Sequence, residues 1–165
     1  MICKMETLSE EFVEKTWQEV AGFSPDRAAK EMHAMGKAQP DLLAFLLAYA
    51  DDLPQEVKEL AIYISFVVYK MFHNSSGKIR RITSREIMAR HDENILLLER
   101  LEGTHEKIFE RIAKVTISKQ PYVMKYVIEA LMEDSGEDSV ALTDDEIGLL
   151  FILLKTEIEV LDNKA

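Results

Sequence analysis

Apolar side chains recur every three or four residues along nearly the whole chain. No stretch alternates apolar and polar in twos between turns, so the pattern predicts helices throughout and no sheet. Ser9 ahead of Glu10, Glu11 and Phe12 marks a helix start. Phe12, Val13, Trp17 and Val20 then keep helical spacing until Gly22, with Trp17 expected as the largest apolar anchor of that helix. Ser24-Pro25 places a capping hydroxyl before a proline at the first helical position, which opens a second helix to about Gly36.

Gln39-Pro40 opens a third helix, Asp51 to Pro54 turns the chain, and Gln55 to about Phe72 forms a long fourth one. Leu60 to Tyr69 is apolar almost all round and rich in β-branched residues, as a buried strand would be. Val57, Leu60, Ile64, Val68 and Met71 nevertheless hold the three-or-four spacing for more than a dozen residues, which predicts a central helix. His73-Asn74-Ser75-Ser76-Gly77 reads as a loop by composition. Thr83 or Ser84 then caps a helical connector to about Val115, in one piece or broken near Gly103. Along it Leu98, Leu101, His105, Ile108, Ile112 and Val115 form a short heptad-like seam.

The same hairpin is written twice. Gln120-Pro121 repeats Gln39-Pro40, and the following apolar positions match: Leu42 with Val123, Leu43 with Met124, Phe45 with Tyr126, Leu46 with Val127 and Leu47 with Ile128. The second helix of each copy matches too, from Val57 with Ile147 to Met71 with Leu161, once the longer acidic loop around 133–141 is allowed for. Thr143 with Glu146 has the form of a capping box. A hairpin with an apolar face cannot bury that face alone, so two copies imply a shared core. The expectation is an all-α single domain over 1–165, a helical bundle or short helical-repeat array. Its two pseudo-equivalent hairpins, 39–72 and 120–161, are linked by a basic connector over 78–117.

Size and composition fit this picture. A chain of 165 residues buries about 70% of its unfolded surface without metal or disulfide staples. The lone Cys3 forms no internal disulfide, and the opening acidic residues Glu6, Glu10, Glu11 and Glu14 lack the basic-then-apolar form of a secretory signal. No apolar run approaches the ~18 residues that would cross a bilayer. A cytoplasmic protein with no membrane partner is expected.

The net charge of −10 is unevenly spread: residues 1–73 carry 7 basic and 12 acidic side chains, 74–119 carry 10 and 7, and 120–165 carry 3 and 11. The acidic whole disfavours nucleic acid, and the connector is the exception. Lys78, Arg80, Arg81 and Arg85 lie beside a helix start, where side-chain charge and free N–H groups together favour an anion or partner contact, the alternative being pairing with the protein's own surplus carboxylates or those of a second copy.

Candidate chemistry is sparse. None of the six glycines falls in a phosphate-cradling motif, and no nucleophile elbow is present, so no catalytic residues or cofactor are assigned. Glu102-x-x-His105 puts a carboxylate and an imidazole on one helix face, the half-site spacing of carboxylate-bridged metal bundles, with His91 in the same register. The three are metal candidates, although about 21 Å of helix separates the two histidines. Lys155 interrupts the apolar second helix where the first copy has Ser65, and Glu159 one turn on is its natural partner. The expectation is a noncatalytic helical interaction or scaffold module, homo-oligomeric, with two alternatives. One is a metal- or small-molecule-binding helical-bundle enzyme, and the other is a regulator touching nucleic acid through the connector.

Overall fold

The apolar run of the fourth helix is helical and central. A computed structural model describes residues 6–100, 112, 119–133 and 141–162, and among these there are seven helices and no strand. They are α1 (Glu10–Ala21), α2 (Pro25–Ala38), α3 (Pro40–Ala50), α4 (Gln55–Ser76), α5 (Ser84–Glu99), α6 (Pro121–Met132) and α7 (Asp144–Asp162). The protein is all-α.

Local chemistry sets the helix starts. Ser9 and Ser24 each accept a backbone N–H of the first turn, and prolines begin α2, α3 and α6, where their missing N–H leaves no bond unmade. Thr83 and Glu86 form a complete capping box at α5, and Thr143 exchanges the same pair of bonds with Glu146 at α7.

The core is built on α4 and α7, which pack against each other. Val67, Val68, Met71 and Phe72 of α4 are fully buried, as are Leu150, Phe151, Leu154 and Leu161 of α7. Each such side chain contributes about 1.5–3 kcal/mol relative to exposure. Around this pair, α1 packs on α4 and α6, and α5 packs on α7 and α3. In addition α3 packs on α4 and α7, while α6 packs on α7 and α4. The helix pair α1–α6 thus lies across the core from the pair α5–α3.

Two expectations need correction. The segment 73–76 is not a loop: α4 continues to Ser76 because Phe72 anchors this turn in the core, and Ser76 Oγ donates back to the Phe72 carbonyl. Gly77 ends the helix at φ 77°, a left-handed conformation that glycine adopts without a Cβ clash. Trp17 is not an anchor either. Val13, Thr16 and Val20 seat α1, and Trp17 sits at the edge of that face, 37% exposed.

The two Gln-Pro glutamines are buried and do the same work in opposite directions. Proline disfavours a helical backbone at the residue before it, so each glutamine stands just outside its helix, at φ −130°, ψ 64° and φ −122°, ψ 69°. Ile82 N–H donates to Gln39 Oε1 at 2.9 Å, and Gln39 Nε2 donates to the Arg80 carbonyl at 3.1 Å. Leu8 N–H donates to Gln120 Oε1 at 2.9 Å, and Gln120 Nε2 donates to the Glu6 carbonyl at 3.2 Å. In each case a side-chain amide stands in for a neighbouring strand and satisfies the backbone of the extended segment leading into α5 or α1.

An aromatic groove with an acidic rim

Between α1 and α6 lies a groove of about 220 Å³ lined by Glu10, Val13, Glu14 and Trp17 from α1 and by Tyr122, Lys125, Tyr126 and Glu129 from α6. Residues four apart on a helix share a face, and the lining consists of four such pairs: Glu10 with Glu14, Val13 with Trp17, Tyr122 with Tyr126 and Lys125 with Glu129. Trp17 and Tyr122 are each 37% exposed, which leaves ring surface open to solvent at the groove. Tyr126 lies deeper, and burial, together with Tyr63 of α4 and Glu133, pushes its hydroxyl pKa far up. It is therefore a neutral hydrogen-bonding phenol.

Charge at the groove is one-sided. Lys125 Nζ donates to Glu10 Oε1 at 2.9 Å, and this bond, with the charges of Glu10 and Glu129, raises the lysine pKa and keeps it cationic. Glu14 accepts a single bond from Gln18 at 3.2 Å, and Glu129 forms no ion pair with a described residue. Three carboxylates therefore face one ammonium that is already engaged. Aromatic faces and unengaged carboxylates together attract an organic cation.

The sequence candidates fall elsewhere. Arg80 pairs with Glu86 at 3.1 Å and Arg81 with Asp41 at 3.4 Å, so half of the basic cluster is spent on the protein's own carboxylates. Lys78 and Arg85 form no ion pair with a described residue. His91 is buried on α5 against the rings of Phe45 and Tyr49, at centroid distances of 5.1 and 4.5 Å, and its burial lowers its pKa. Glu102 and His105 lie outside the described residues. Among the described residues, no three His, Cys, Asp or Glu side chains come together in a way that would hold a metal ion.

Lys155 is buried and donates to Glu159, the partner expected from spacing, and to Asn94 Oδ1 at 2.8 Å. Asn94 in turn donates to Thr156 at 3.0 Å, which ties α5 to α7. Glu157 is fully buried on α7; burial raises its pKa well above the usual carboxylate range, and the nearby Ser65 hydroxyl opposes this only in part.

The groove has a sequence signature, the interleaved i,i+4 pairs on α1 and α6, but only the fold places those two helices side by side. Comparison with known proteins gives no family model, no curated protein and no solved structure that matches the chain. No helix among the described residues is long and apolar enough to cross a membrane.

Proposed function

We propose that the protein is a noncatalytic helical interaction module whose partner docks on the α1–α6 face. The observation that carries this reading is the half-exposed Trp17 and Tyr122 at a groove rimmed by Glu10, Glu14 and Glu129. Large aromatic side chains supply much contact area at little entropy cost, and they are enriched at protein interfaces. The surplus of carboxylates steers a basic partner and orients it. A nucleic-acid partner is disfavoured by the same charge, and two of the four residues of the basic cluster, Arg80 and Arg81, already pair with the protein's own carboxylates.

A photo-crosslinking residue at Tyr122, with a control at the exposed Leu47 of α3, tests the reading in cells. The expected result is a crosslinked partner at Tyr122 alone. That partner, identified by mass spectrometry, should bind again as purified protein, and the binding should be lost in Glu14→Lys with Glu129→Lys. A product of twice the chain's mass would identify the partner as a second copy, as the homo-oligomer expectation has it. Equal capture at Tyr122 and Leu47 would overturn the assignment of this face.

A further inference from the structure

Resting on the reading of α1–α6 as the docking face, we infer that the groove receives an arginine side chain of the partner, its guanidinium stacked on Trp17 and Tyr122 and bonded to Glu14 and Glu129. Charge alone does not select arginine, because a lysine would satisfy the carboxylates. Two arrangements within the same fold do select it.

The first is Arg27. Its guanidinium lies 3.9 Å over the Phe23 ring while Nε donates to Glu31 at 2.7 Å, so an aromatic face with a carboxylate beside it already holds an arginine in this protein. A planar guanidinium can stack and form a forked bond at once, which an ammonium cannot.

The second is the seam between α3 and α5, across the core. Counted from the clamped N–H, His91 stands nine residues beyond Ile82 as Trp17 stands nine beyond Leu8; counted from proline, Phe45 follows Pro40 as Tyr126 follows Pro121. At α3–α5 the rings of His91, Phe45 and Tyr49 pack against one another edge-on and tilted. Its mouth is closed by Asp41, which accepts the Ser84 N–H at 3.1 Å and pairs with Arg81. At α1–α6 the position matching Arg81 is Thr7, which bonds to the Lys119 carbonyl, and the one matching Tyr49 is Ala130. The chain thus sets its own arginine beside the carboxylate at the edge of one seam and none at the other, where carboxylates and ring surface remain open.

Trp17 is the only tryptophan in the chain, so its fluorescence reports the groove directly. Short acetylated peptides with a central arginine, lysine or citrulline are titrated against the purified protein to about 10 mM, a range that detects millimolar binding. The arginine peptide should give a saturable change, the lysine peptide one at least about fivefold weaker, and the neutral citrulline peptide none. Glu14→Gln with Glu129→Gln should weaken the arginine response about tenfold at an unchanged melting temperature. Asp52→Asn with Glu56→Gln, which removes two exposed carboxylates of the α3–α4 turn, should leave it intact. No response to arginine, equal responses to arginine and lysine, or equal loss in the distant control would overturn the inference. Partner capture at Tyr122 together with any of these results would leave the docking face standing and remove only the arginine.

Discussion

Gln39 and Gln120 hold each other's half of the molecule: Gln39 grips Arg80 and Ile82 ahead of α5, and Gln120 grips Glu6 and Leu8 ahead of α1. Each amide satisfies one N–H and one carbonyl of an extended segment, and Ile82 and Leu8 bury their side chains as a result. Replacing either glutamine by leucine keeps bulk but strands both backbone groups. At about 1–3 kcal/mol for a stranded group, Gln39→Leu should lose at least that much stability in urea denaturation. Gln120→Leu should lose more, because Gln120 Nε2 also donates to Asp162 at 2.8 Å. Unchanged midpoints would mean that water replaces the amides.

Ile64 is 1% exposed at the centre of α4. Ile64→Ala should cost about 2–5 kcal/mol through lost burial and the cavity left behind. A melting temperature within a degree of wild type would contradict this packing.

Two buried groups bracket the pH range of stability. Burial raises the Glu157 pKa above 4.5, so the folded state holds that proton more tightly than the unfolded chain. Stability from this group is present below pH 4.5 and is lost as pH rises through the folded pKa. Glu157→Gln keeps the neutral shape, so the variant should match wild type near about pH 4 and exceed it at neutral pH. Parallel pH profiles for the two proteins would exclude this role.

Burial lowers the His91 pKa below 6.5, so its effect has the opposite sign. Its contribution is present above pH 6.5 and is lost as pH falls through the folded pKa. His91→Phe, which keeps a ring against Phe45 and Tyr49, should flatten the acid side of the stability profile measured by thermal melts between about pH 5 and 7. A wild-type acid slope retained in this variant would place the titration elsewhere.

Arg80 and Arg81 are already paired, while Lys78 and Arg85 form no ion pair with a described residue. Self-association through the basic segment should therefore respond to Lys78→Glu with Arg85→Glu. Sedimentation at moderate salt should shift toward monomer, and high salt should shift wild type the same way. A wild type that is monomeric at about 10 µM, on the order of ordinary weak association, would remove this interface.

Helix positions were legible because burial imposes a period, and Val57, Ile64, Val68 and Met71 display it whatever they pack against. The Gln-Pro pairs were legible as helix starts, but the task of their glutamines was not, since the gripped segments lie 43 and 112 positions away. Trp17 was misread because size suggests an anchor, whereas the neighbours on α6 decide which edge of a helix is covered. Which carboxylates the basic cluster meets was hidden for the same reason: Asp41 approaches Arg81 only after the chain has folded back. The tract at 73–76 resembled a loop because composition gives Asn and Ser no credit for a buried Phe72 one turn earlier.

Because Leu8 waits for Gln120, the molecule is assembled out of order as it is made. At about 5–20 residues per second, the amide that seats this first segment leaves the ribosome roughly 5–20 s after it. Once α4 has followed it out, α1 has a place on that helix but no lock at its start until Gln120 arrives. A chain interrupted before Gln120 therefore leaves the extended segment ahead of α1 without the one side chain that satisfies both its Leu8 N–H and its Glu6 carbonyl.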